Sequence, residues 1–196
     1  MPMFGLPELG LQDLGPNQGD FKMPLDGIDI DRNMVVKSND LIEGHYRMSV
    51  NAQKLAASII SLVDPKPREV DNAEPLPIFD FSMSELAQIM DMDVDNARKR
   101  LKSAMKELKN IQIEVRKPDD PGSYILISLF RTCGYLEREH IARFEFDSYL
   151  RSYVRYLAGN FTQYQLVQIK KLRSSYSLRL YEIRLFYRLA DHFAAS

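Results

Sequence analysis

From Ser82 to Val115 the chain reads SMSELAQIMDMDVDNARKRLKSAMKELKNIQIEV. Ser82 or Ser84 caps a helix over Glu85–Met90, and Ser82 followed by Glu85 has the spacing of a capping box. Asp91–Asp95 reads as a turn, with Asp95 or Asn96 capping a longer helix that reaches about Lys109. In that second helix Ala97, Leu101, Ala104, Met105 and Leu108 share one side at helical spacing. Arg98, Lys99, Lys102, Lys106 and Lys109 fall mostly on the other. Ile111–Val115 then alternates apolar and polar residues, the period of a strand.

Working outward, Pro118–Gly122 is a turn, Tyr124–Leu136 is a long run of strand-forming residues, and Ile141–Phe146 alternates again. Glu137–His140 between them is a hairpin tip. On the other side, Ile78–Phe81 reads as a short strand, and residues 64–77, with four prolines, read as a loop. Ser49 opens a helix over 50–63, and residues 34–43 look like a shorter one. Two helices joined by a short turn and followed by a β-hairpin is the order of a winged helix-turn-helix. The expected class is α+β: a winged helix with a small antiparallel sheet and added N- and C-terminal helices.

The C-terminal part reads as helical. One short helix covers Ser148–Leu157 and ends at Gly159-Asn160, and Thr162 caps another over Gln163–Leu172. A last helix starts at Ser174 or Ser175 and runs to about Leu189. Its apolar stripe is Tyr176, Leu180, Ile183 and Tyr187, widened by Leu178, Tyr181 and Leu185. Leu101, Leu108, Tyr176 and Tyr181 are therefore expected in the core. Residues 1–33 hold five Gly, four Pro and six acids with no helical or strand period, and read as a flexible acidic arm. Its scattered hydrophobes, Phe4, Leu6, Leu9 and Leu14 among them, offer docking points for a partner.

Net charge over the 196 residues is -1, but it is segregated. The arm carries -4. Residues 95–110 carry +4, and residues 151–190, with eight basic residues against Glu182, carry +7. Concentrated positive charge on two helical segments points to a polyanion, with solvated helix faces as the plain alternative.

Enzyme chemistry finds no support. The arm glycines Gly5, Gly10 and Gly15 have no strand before or helix after them to cradle a phosphate. His45, His140 and His192 lack a ligand rhythm, and the lone Cys133 excludes a disulfide framework. Asp91, Asp93 and Asp95 lack the glycine and glutamate of a calcium loop and suit helix capping better. Tyr149, Tyr153 and Tyr156 lack the His cluster that a DNA-nicking tyrosine needs. No catalytic residue, cofactor or metal is expected. No apolar run approaches the ~20 residues of a membrane span, and the N-terminus lacks the basic start and apolar stretch of a signal peptide, so a soluble protein of the cytoplasm is expected.

Three stretches carry a resemblance. The first is Val36–Glu43 (VKSNDLIE) continued by Tyr46–Leu55 (YRMSVNAQKL). The second is Gly159–Leu166 (GNFTQYQL), and the third is Lys171–Glu182 (KLRSSYSLRLYE). In this order and spacing, over roughly residues 34–189, the chain resembles the N-terminal winged-helix domain of iteron-binding plasmid replication initiators. The resemblance implies two winged helices in tandem. The second reads the major groove of repeated origin sequence; the first contacts the phosphate backbone and forms a dimer interface. Monomers initiate replication and dimers often repress their own gene. Residues 34–196 are then the first winged helix. The second is not present, either because this is a first domain on its own or because the chain is a shortened relative.

The implied partners are double-stranded DNA at origin iterons and operator, a second copy of the chain, and host replication proteins. Phosphate contacts are expected from Arg98, Lys99, Lys102, Lys106, Lys170, Lys171, Arg173 and Arg179, although Glu182 at i+3 offers Arg179 another partner. Tyr124–Phe130 has no charge, Pro or Gly, and is expected to place Tyr124, Leu126, Ile127 and Leu129 in or beside a dimer interface. A pure interaction module and a chromosomal transcription regulator are the alternative readings.

Overall fold

The computed structural model describes residues 28–44, 46–65, 76–117, 120–155 and 161–194. Its elements are β1 (Met34–Ser38), α1 (Asn39–Glu43), α2 (Val50–Ile60), β2 (Ile78–Ser82), α3 (Met83–Met90), α4 (Val94–Asn110), β3 (Gln112–Lys117), β4 (Asp120–Ser128), β5 (Phe130–Leu136) and β6 (Ile141–Phe146). A 3₁₀ turn (Ser148–Leu150), α5 (Arg151–Val154), β7 (Phe161–Gln165), α6 (Leu166–Lys170) and α7 (Ser175–Ala194) complete the chain.

The helix-turn-helix is α3–α4. Ser82 accepts from the Glu85 amide, and the Glu85 carboxylate accepts from the Ser82 amide, a full capping box. The cap of α4 is Asp93, not Asp95 or Asn96: its carboxylate takes the Asn96 amide at 2.9 Å. Asp91, at φ 55, ends α3 in the left-handed conformation that aspartate tolerates better than most residues. Ala97, Leu101, Ala104, Met105 and Leu108 are all buried, so the apolar face of α4 points inward as its period predicts. Leu108 is fully enclosed, whereas Leu101 borders a surface groove. Leu108→Ala is expected to cost about 2–5 kcal/mol by chemical denaturation, and Leu101→Ala less, because a site open on one side leaves a smaller void. Equal, near-zero losses would reverse the assignment of that face.

The wing is β5–β6, closed at Glu137–His140 and joined by β2 in a three-stranded antiparallel sheet of order β2-β6-β5. Its inner side is aromatic: Phe130 stacks on Phe146 at 4.7 Å, Phe79 meets Phe146 edge-on, and Phe144 meets both Phe130 and Phe81 edge-on. Asp80 and Arg143, opposite each other in register, form a bidentate pair at 2.8 Å on the outer side.

Other sequence expectations change as well. The 124–136 run is not one strand: it breaks at Leu129, β4 pairing with β3 in a separate two-stranded sheet and β5 with β6. Residues 34–43 split into β1 and α1, and Thr162 is no helix cap but a buried residue of β7, which pairs antiparallel with β1. Its hydroxyl meets the Asn39 side chain at 2.8 Å. These two strands lie more than 120 residues apart, so no local window reveals them; pairing overrides local propensity. Residues 28–33, read as part of the arm, belong to the folded body, with Ile30 in the core; residues 1–27 lie outside those described.

The last concerns α7. Tyr176, Leu180 and Tyr187, expected inside, are 73%, 50% and 58% exposed, and Tyr181 is only half-buried. The buried face runs through Leu178 and Glu182 instead. Among the described residues no helix is long and apolar enough to cross a membrane, and no acid, His or Cys cluster could hold a metal.

Candidate nucleic-acid interface

On α4, Arg98, Lys99, Lys102 and Lys106 all project into solvent, a consequence of the inward turn of its apolar face. A second cationic group forms where α6 ends and α7 begins. Lys171 and Arg173 are exposed there, and Lys170 is half-exposed. Beneath it lies a residue the sequence did not single out. Lys54, on α2, is buried, and its ammonium donates to the Lys170 carbonyl at 2.5 Å, satisfying a free carbonyl at the end of α6. Burial lowers its pKa, Asp91 opposes that shift, and Arg173 and Lys170 add to it. No periodicity flags Lys54: it sits within an apolar helix and gains its role only from α6.

Arg179 does not belong to this surface. Its guanidinium donates to the Tyr46 hydroxyl at 2.9 Å and to the Gly44 carbonyl at 2.8 Å, and stacks on the Tyr46 ring at 4.4 Å. Glu182, one turn on, lies 3.6 Å away. With its donors and its planar face committed, Arg179 is corrected from a phosphate contact to a structural residue.

Arg179 is one member of a buried polar cluster around Glu182. The Glu182 carboxylate accepts from the Lys37 ammonium at 2.6 Å and from the Tyr164 hydroxyl, with Tyr46 at 3.5 Å. Burial raises the Glu182 pKa, but Lys37, the hydrogen bonds from Lys37 and Tyr164, and Arg179 outweigh it, so the group titrates below its ordinary value. Burial and the same carboxylate push the Tyr164 and Tyr46 hydroxyls up. Lys37 and Tyr46 come from the first of the three stretches quoted above, Tyr164 from the second, and Arg179 and Glu182 from the third. Residues scattered over 145 positions thus meet at one carboxylate that locks α7 onto β1 and β7.

The strand residues expected at a dimer interface divide. Tyr124 and Leu126 are 61% and 51% exposed, beside Ile125 at 41%. Ile127 and Leu129 are buried in the chain's own core and are corrected from interface to core residues. Cys133 is half-buried, and desolvation pushes its thiol up to about 12, which suits an inert packing residue.

Residues 34–184 match the family described as Initiator Replication protein, WH1. The chain belongs to this family. A replication initiation protein from Escherichia coli is 25% identical over 150 residues, covering 76% of this chain and 45% of the relative. A crystal structure of the Pi initiator protein in complex with iteron DNA superposes with a TM-score of 0.59 at 22% identity, over 80% of this chain and 64% of that one. That likeness shows that the fold is shared. The initiator-family chain described here spans less than half the length of its E. coli relative. Within its matched region lie the helix-turn-helix, the wing and the Glu182 cluster.

Proposed function

We propose that the chain acts in the bacterial cytoplasm as the first winged-helix domain of a plasmid replication initiator, gripping the phosphate backbone of origin repeats and supporting initiation and autorepression. The observation that carries the reading is the row of unburied cations on α4, on the side away from its buried apolar residues. Lys170, Lys171 and Arg173 add a second point of attachment. Membership in an initiator family favours this reading over a chromosomal regulator, and the structural relative was crystallised with iteron DNA. The proposed role is binding without catalysis. Backbone contacts position a protein but carry little sequence information, so the chain should bind duplexes with low sequence preference. Affinity measured across a series of salt concentrations should fall with a log–log slope of about -0.9 per neutralised phosphate, to a limit near about -6 if all seven exposed or half-exposed cations engage. A flat salt response would reject the reading.

Dimerisation has its own support. β4 pairs only with β3 among the described strands, and it presents exposed Tyr124 and Leu126 on one face, with Ile125 exposed on the other. An apolar strand with an open edge is a template for a second copy. Sedimentation over a concentration series should show a monomer–dimer equilibrium that Leu126→Lys shifts toward monomer, because this side chain is exposed and the fold tolerates the charge. A dimer undisturbed by Leu126→Lys and Tyr124→Lys would place the interface elsewhere.

A further inference from the structure

Between α4 and β5 lies a groove of about 450 Å³ that phosphate binding does not explain. Its floor is apolar, built from Leu101, Met105, Cys133 and Tyr135, and its rim carries Arg98, Lys102, Lys106 and Lys109. No acid is among the described residues that line it. A duplex offers charge to the rim but, apart from thymine methyls, little that is apolar to the floor. The complement of an apolar floor with a cationic rim is a peptide that alternates hydrophobes with carboxylates, and methionine makes such a floor adaptable.

The chain contains that peptide. Phe4–Leu14 reads FGLPELGLQDL: Phe4, Leu6, Leu9, Leu11 and Leu14 with Glu8 and Asp13, and no basic residue. Its point of attachment is near. Ile30 lines a small cavity together with Ile89 of α3, and Met83, six residues back along the same helix, lines the groove, about 9 Å away along the axis. Eighteen residues lie between Leu9 and Ile28, and the nineteen steps between the two reach up to ~65 Å when extended, against a domain diameter of roughly 40 Å. Linkage to the same chain also gives the segment a high effective concentration at the groove.

We infer that the groove between α4 and β5 is the seat of the chain's own acidic N-terminal segment, Phe4–Leu14, which when seated covers the cations of α4. The seat stands on the groove and on charge complementarity. Its consequence, competition with DNA, rests on the duplex-binding reading above.

Zero-length carbodiimide cross-linking of the full chain, mapped by mass spectrometry, tests the seat. Glu8 or Asp13 should join Lys102, Lys106 or Lys109, and the links should vanish in Leu9→Ser/Leu11→Ser, which leaves every charge in place. In an equal mixture of ¹⁴N and ¹⁵N chains the links should stay within one isotope. Links confined to other lysines, links that survive the serines, or links between isotopes would overturn it. Duplex affinity tests the consequence separately. A segment seated nine-tenths of the time weakens binding about tenfold, so Leu9→Ser/Leu11→Ser should tighten it by that factor. Correct cross-links with unchanged affinity would overturn the occlusion. Failure of the wild type and the serine variant alike to bind duplex would reject the binding reading and leave the cross-linking result to decide the seat.

Discussion

Glu182→Ala is expected to destabilise the fold by about 3–5 kcal/mol, a large share of the roughly 5–15 kcal/mol that holds a typical domain together. Glu182 is 1% exposed, and Lys37, its nearest cation, is 5% exposed. Removing the carboxylate leaves that ammonium buried without its counter-charge, and an unpaired buried cation costs more than the pair contributes. Tyr164 loses its acceptor in the same step. The loss should fall on α7, which the cluster ties to β1 and β7, so amide exchange should rise first in that helix and in those strands.

The cluster also sets an acid limit. The Glu182 pKa is lower in the folded state than its ordinary 4.5. Its contribution is therefore fully present above that value and disappears as pH falls through the folded pKa. Denaturation midpoints should decline below pH 4.5 in the wild type, with a shallower decline in Glu182→Gln, which has no proton to take up. A Glu182→Ala loss under about 1 kcal/mol, or parallel acid profiles for the wild type and Glu182→Gln, would show that the cluster does not hold the fold.

The second large effect is on DNA. Replacing Lys170, Lys171 and Arg173 together by Ala should weaken duplex binding on the order of a hundredfold at about 0.1 M salt and reduce the magnitude of the log–log salt slope by about 3, close to one for each phosphate no longer neutralised. Fluorescence anisotropy with a labelled duplex at several salt concentrations reads both quantities. Lys171 and Arg173 are exposed and Lys170 half-exposed, so the fold should survive. The Lys170 carbonyl that Lys54 uses is backbone and persists in the variant. Arg179→Ala should behave differently. Its guanidinium serves Tyr46 and Gly44, so stability should fall while the salt slope stays unchanged. An unchanged affinity in the triple variant would remove the α6–α7 cations from the interface.

Elements built from local signals are legible in the order of residues alone. The capping box at Ser82, the apolar stripe of α4, the alternation of β6 and the hairpin tip at Glu137–His140 depend on neighbours within a few residues, and each lies where its pattern predicts. The exposed row Arg98, Lys99, Lys102 and Lys106 follows from the same periodicity, because burying Leu101 and Leu108 leaves those positions no other direction. Pairing across the chain decided the rest. β1 and β7 are strands because each is the other's partner; alone, both read as helix. The run from Tyr124 to Leu136 serves two sheets because β3 claims its first half and β6 its second. On α7, hydrophobicity chose Tyr176, Leu180 and Tyr187 as the inner face, and the tertiary structure chose Glu182. This carboxylate enters the core because a lysine and two tyrosines from distant segments, with an arginine one turn back on its own helix, converge on it, and a helical period counts nothing beyond its own helix.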